Sequence, residues 1–283
     1  MFFTVKFCLV CGCFNFNHML NRKTHPFHLV DPSPWPVYAA TNSLVLVAGL
    51  VGAIHSFPGG SYCFVHGLLN TFLVAGLWWR DVIREGTYGG YHTVEVQRGL
   101  SLGFGLFLVS EVMFFFSFFW AFFYLALNPS LEIGGIWPPS GIIPMSPTGI
   151  PLLNTVLLVW SGFTLTYAHN RLIARDLITH LIGMAWTLGL GFIFLFLQAY
   201  EYYVAQFDIS DGVYGSCFYL LTGFHGLHVL IGFVFLLVNT CRAMAWHFYA
   251  QQHLGVIFGA WYWHFVDVVW LALYFVVYVW GNK

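Results

Sequence analysis

From Arg98 to Leu127 the chain reads RGLSLGFGLFLVSEVMFFFSFFWAFFYLAL, and after Arg98 Glu111 is its only Asp, Glu, Lys or Arg. The run exceeds the roughly 20 apolar residues that a helix needs to cross a bilayer. Glu111 lies thirteen residues past Arg98, about 20 Å along a helix, and so near the middle of the membrane. An ionisable group at that depth is costly and usually serves a purpose. A lone carboxylate charge among Val109, Val112, Met113 and the phenylalanines has no lysine or arginine at its level. Glu111 is therefore expected to be protonated or to share its proton, because a neutral carboxyl donates one hydrogen bond and is then satisfied.

The rest of the chain fits that setting. Only 7% of the 283 residues are charged, 59% are hydrophobic, and the mean hydropathy is +0.75. A soluble domain carries about 25% charged residues, so composition decides for a polytopic membrane protein, and the lack of strand alternation in its apolar segments makes it all-α. The net charge is −1, which leaves no basic surface for nucleic acid. The aromatic share of 20% suits interfacial belts. Of the six cysteines, Cys8, Cys11 and Cys13 cluster at the start, while Cys63 and Cys217 lie in apolar runs; this is no disulfide framework. The apolar opening from Met1 to Phe14 contains Lys6 and is too short to span. It lacks the small-residue cleavage site of a signal peptide.

Seven helices are predicted, at about 37–56, 61–84, 93–127, 151–173, 175–204, 212–242 and 253–280. Residues 1–36 form an N-terminal segment, 37–84 hold helices 1 and 2, and 93–280 hold helices 3 to 7. Prolines 32, 34 and 36 are expected to hold off the first helix until Val37. With seven spans, Lys6, Arg22, Lys23, Arg80, Arg84, Arg98, Arg171, Arg175 and Arg242 share one side, and Lys283 stands alone on the other. That asymmetry places the N-terminus in a mitochondrial matrix or a bacterial cytoplasm. The long loop from Asn128 to Ile150 falls on the opposite side, and its Trp137-Pro138-Pro139 suggests a stiff, packed loop.

Other ionisable groups share the depth of Glu111. His225 and His228 stand halfway along helix 6, and His264 and Asp267 halfway along helix 7. Each pair is spaced i, i+3 and shares a helix face. One reading is a functional polar belt; the other is interhelical hydrogen bonding that fixes the bundle. Haem or copper ligation by His225, His228, His264 or His66 is a third, but histidine spacing on helices is a weak signal. Cys8, Cys11, Cys13 and His18 lack the second ligand pair of a zinc site. No metal is therefore expected on this chain. At the inner helix ends, Trp78 and Trp79 precede Arg80, Asp81, Arg84 and Glu85, and Arg242 closes helix 6. Aromatic and basic groups at headgroup level suit either lipid phosphates or ordinary anchoring.

The chain resembles subunit III of the haem–copper cytochrome c oxidases over nearly its whole length, in the mitochondrial-like form. The matching stretches include DPSPWP at 31–36, WWRDVIREGTY at 78–88, SEVMFFFSFFWAF at 110–122, GGIWPPSGI at 134–142, LQAYEYY at 197–203, DGVYGSCFYLLTGFHGLHVLIG at 211–232 and AWYWHFVDVVW at 260–270. The resemblance implies a V-shaped bundle of two plus five helices in the mitochondrial inner membrane. It implies a non-redox core subunit of complex IV, with haem and copper in partner subunits, subunit I as chief partner, and bound phospholipids. It also implies support for proton uptake and lasting turnover by the catalytic subunit. Glu111 matches the family's buried helix-3 carboxylate, and Trp79, Glu85, His92 and Arg242 match positions associated with lipids. Ile257 stands where the family often carries a carboxylate, and Ala168-His169-Asn170 where it often carries two histidines.

Two other functions compete. A bis-His membrane cytochrome would use His225, His228 and His264 and would show haem absorbance. A proton-coupled carrier would use Glu111 and Asp267 and would show inverted repeats and broken helices, neither of which the sequence displays convincingly. The topology is testable without choosing among these functions. A cysteine introduced beside Lys283 is expected to react with impermeant reagent from the side opposite the N-terminus. Labelling from the N-terminal side would contradict the seven-span arrangement.

Overall fold

A computed structural model describes residues 25–282. The sequence expectations for Lys6, Cys8, Cys11, Cys13, His18, Arg22, Lys23 and Lys283 lie outside the described residues. Seven helices in the described part are long and apolar enough to cross a membrane, and no strand occurs among the described residues. The chain divides into two compact units, one reaching to Arg98 and the other starting at Gly99.

The first unit is built on a hairpin of α1 (Trp35–Ile54) and α2 (Gly60–Thr87). The helix α1 begins two residues earlier than the prolines suggested, with Pro36 inside its first turn. Proline is tolerated there because the first N–H groups of a helix have no intrahelical acceptor to lose. The hairpin packs backbone to backbone. A Cβ on Gly49 would lie 2.3 Å from the Phe64 nitrogen, and one on Gly60 would lie 2.4 Å from the Gly52 carbonyl carbon. Lipid tails are as apolar as the side chains, so close van der Waals approach between small residues supplies the attraction. The remaining surface of the hairpin exposes Leu44, Val47, Leu69, Phe72 and other large apolar side chains, as lipid contact requires.

The second unit contains α3 from Gly99 onward (the helix as a whole runs Val94–Leu127), α4 (Ile150–Ile173), α5 (Leu177–Val204), α6 (Gly212–Met244) and α7 (Leu254–Leu273). α7 continues as a π-helical stretch, Tyr274–Trp280. α4 packs on α5 and α7, and α6 packs on α5 and α7. Trp263, Trp270, Phe194, Leu158, Leu165 and Leu221 fill the centre. Large indoles fit because glycine faces them: a Cβ on Gly191 would sit 2.8 Å from the Trp263 ring. The indole N–H groups of Trp263 and Trp270 both find acceptors on α4. Trp263 Nε1 donates to Ser161 Oγ at 2.8 Å, and Trp270 Nε1 to Thr155 Oγ1 at 3.0 Å. Buried polar atoms need such partners, so these bonds set the height of α7 against α4.

The α4–α5 turn explains why α5 begins later than expected. Arg175 takes a positive φ of 62°, and Asp176 then caps the helix by accepting from the Thr179 backbone N–H at 3.2 Å. That capping holds the Asp176 carboxyl below the usual carboxylate range. In the long loop, the Trp137 ring packs 5.4 Å from Phe122 and 5.3 Å from Tyr214, centroid to centroid. The loop is thereby tied to the ends of α3 and α6.

Candidate functional site

Glu111 has a partner, and it comes from another helix. Its Oε2 lies 2.8 Å from His228 Nε2 on α6. The other ring nitrogen, His228 Nδ1, is 2.6 Å from the Phe224 carbonyl oxygen one turn earlier. A carbonyl only accepts, so Nδ1 carries a proton and donates it. That fixes the chemistry of the pair. Either the carboxyl donates to a neutral imidazole, or an imidazolium donates to a carboxylate. In both forms one proton lies on the Nε2–Oε2 line and the pair is neutral as a whole, which avoids a net charge at mid-span. Phe114 and Phe115 of α3 hold the ring, the Phe115 centroid standing 4.9 Å from that of His228 edge to face. Tyr262 stacks on it from α7 at 6.3 Å. The side chains of His228 and Glu111 retain 11% and 21% of their exposure, so the site is shielded without being sealed.

The other belt residues are tied between different helices. His225 is fully buried on α6, with Nε2 3.2 Å from the Val266 carbonyl on α7. His264 lies on the α4 side of α7, its Nε2 3.3 Å from Thr166 Oγ1 and its Nδ1 3.5 Å from Asp267 Oδ2. A Cβ on Gly162 would collide with Asp267, so that glycine makes room for the carboxylate. The structure thus joins Glu111 with His228, and His264 with Asp267, as separate pairs, while His225 bonds to backbone. The Nε2 atoms of His225 and His228 are both engaged in hydrogen bonds. Among the described residues, no group of three or more His, Cys, Asp or Glu is placed to hold a metal ion.

At the end of α2, Asp81 gathers three partners. It accepts from Trp35 Nε1 at 2.8 Å, pairs with Arg80 at 2.9 Å, and lies 3.8 Å from Arg84. Glu85 lies 3.8 Å from His28 Nε2, and His28 stacks on Tyr91 at 4.9 Å. Thr93 bonds to the Pro26 carbonyl, and His92 sits against Gly86. Trp79 is 67% exposed and Trp78 38%, both available to lipid. Arg242 belongs to the second unit. Its guanidinium stands 4.4 Å over the Phe248 ring. The neighbouring His247 is held below the usual imidazole range, first by burial and then by the Arg242 charge. Histidine 247 is therefore neutral at neutral pH, and Arg242 supplies the local positive charge.

Two features escaped the sequence reading. His169 Nε2 lies 3.1 Å from His253 Nε2, joining the end of α4 to the turn before α7. No periodicity links residues 84 apart. Glu201 is buried on α5 with Gln198 beside it in sequence spacing i, i+3. A carboxylate near the end of an apolar helix reads as an interfacial residue, which conceals its burial.

Seven spans whose mid-membrane ionisable groups are bound across helices define a polytopic helical-bundle membrane protein. The chain belongs to the cytochrome c oxidase subunit III family, whose model matches residues 25–282. It is 52% identical to cytochrome c oxidase subunit 3 of Emericella nidulans, across 92% of this chain and 97% of that one. With the Prototheca wickerhamii subunit 3 the figures are 51%, 92% and 99%, and with that of Ornithorhynchus anatinus 49%, 93% and 100%.

The shared proton has a spectroscopic consequence. Infrared difference spectra of the assembled complex are expected to show a Glu111 band that disappears in Glu111→Gln and shifts in His228→Ala, because the imidazole is its partner. A Glu111 band indifferent to His228→Ala would refute the pairing.

Proposed function

We propose that this chain is the non-redox core subunit III of cytochrome c oxidase, working in respiratory complex IV. The match to the subunit III family along residues 25–282 carries this reading. The enzyme activity belongs to the assembled oxidoreductase, with haem and copper held by partner subunits, and this chain contributes no catalytic residue of its own. Its location is the mitochondrial inner membrane, with the N-terminus in the matrix. That orientation rests on the nine basic residues of the N-terminal side.

Subunit I is the chief partner in this reading, followed by the other complex IV subunits. The chain stabilises their assembly and sustains proton uptake by the catalytic subunit. Glu111 is its buried functional carboxylate: paired with His228, it holds a proton at mid-membrane without net charge. His225, His228, His264 and Asp267 make the intramembrane polar belt. Phospholipid is the bound non-protein component. Trp78 and Trp79 supply interfacial aromatic surface; Glu85 and His92 in the first unit, and Arg242 separately in the second, supply groups that suit zwitterionic or anionic headgroups.

Purification tests both halves of the proposal. The tagged chain is expected to bring down the haem- and copper-containing subunits, and oxidase stripped of it to lose turnover sooner than intact oxidase. In the same preparation Arg242→Ala is expected to reduce co-purified phospholipid. Failure to recover haem-containing partners would overturn the assignment, and unchanged phospholipid in Arg242→Ala would show that Arg242 binds no lipid.

A further inference from the structure

The second unit leaves one stripe of its last span uncovered, and an ionisable side chain stands within it. Over Leu254–Trp280, Trp261, Val268 and Phe275 are 42%, 65% and 59% exposed. His264 and Leu271 are half-buried between them. The stripe is narrow, because Trp263, Val266 and Trp270 beside it are buried. The side chain of His264 keeps 44% of its exposure. It stands ten residues past Leu254, about 15 Å along the helix. That is the middle of a hydrocarbon layer about 30 Å thick.

The chain holds this imidazole at the surface of the bundle. Thr166 of α4 donates its hydroxyl hydrogen to the Gly162 carbonyl at 3.0 Å. The Thr166 oxygen is then the acceptor for His264 Nε2, at 3.3 Å. His264 Nδ1 lies 3.5 Å from Asp267 Oδ2, longer than a normal hydrogen bond. Thr166 is itself exposed, so the Thr166–His264 contact opens outward, at a depth where lipid offers no hydrogen bond.

Ionisable side chains within a span almost always face protein or water. The rest of the belt follows that rule: the side chains of Glu111, His228 and Asp267 keep 21%, 11% and 11% of their exposure, and His225 is fully buried. His264 departs from it within this chain, so its cover comes from outside the chain. Spacing gives the shape of that cover. Trp261, His264, Val268, Leu271 and Phe275 recur at alternating intervals of three and four residues. This is the seam along which one helix packs on another, and membrane helices cross in the same way. A single polar residue in such a seam selects register and partner. Lipid chains suit the apolar positions equally well and leave the imidazole without a partner.

We propose that this stripe of α7 docks a transmembrane helix of a partner subunit, and that the helix carries a hydroxyl, amide or carboxyl side chain bonded to His264. The proposal rests on the complex IV reading given above and adds to it the face on which a partner sits.

A cryo-EM map of the assembled complex tests this. A partner's helix is expected along Trp261, Val268 and Phe275, with a polar side chain within hydrogen-bond reach of His264. In native gels His264→Phe, which keeps a ring without its nitrogens, is expected to lower retention of that partner by about threefold or more, the factor one hydrogen bond contributes in a membrane. His264→Gln, which can still bond, is expected to restore most of the loss. Acyl chains along the stripe, or a partner helix offering His264 only apolar side chains, would overturn the docking surface and leave the family assignment standing. Failure to recover any partner subunit would overturn both. Should His264→Phe fail to assemble at all, the wild-type map decides alone.

Discussion

The hydrogen bond between Glu111 and His228 is the constraint on which the middle of the second unit depends. In hydrocarbon no water is present to satisfy a carboxyl, so the helix carrying Glu111 must face a partner. His228 meets that need from α6, and its other nitrogen is already committed to the Phe224 carbonyl. Register follows: a slip of one residue on α3 would carry Glu111 about 100° around its helix and leave both side chains unpaired. Apolar packing between phenylalanines tolerates such slips more readily than a bond between two specific atoms does.

The same logic recurs at each contact. Trp263 and Trp270 bring bulk to the core but also an N–H, and Ser161 and Thr155 accept them. His225 uses a backbone carbonyl of α7, and Thr164 and Thr187 bond across α4 and α5 at 2.8 Å. The α1–α2 hairpin takes the other route, close approach of glycines. Without a hydrophobic driving force between helices in lipid, these are the two sources of attraction available.

The seven spans were legible because apolar length is a property of each segment alone. Helix ends were legible to within a few residues, and the misses had local causes. Pro36 fits inside the first turn of α1 rather than preceding it, and Asp176 caps α5 so that its first residue, Leu177, lies two beyond the expected start. The depth shared by Glu111, His225, His228, His264 and Asp267 could be counted from the helix ends. Their pairing could not, since Glu111 and His228 stand 117 residues apart and only the bundle decides which faces meet. Glu201 stayed hidden for the converse reason: it stands near the end of α5, and only the rotation of that helix in the bundle turns it inward.

A double-mutant cycle between Glu111 and His228 tests the central claim most directly. Glu111→Leu, His228→Leu and the double variant would be compared by detergent-induced unfolding of the assembled complex. Because removing either partner strands the other, the two single losses should exceed the double loss, with a coupling of about 0.5–2 kcal/mol, the range found for membrane hydrogen bonds. Strictly additive losses would show that the two side chains do not interact, and would contradict the account.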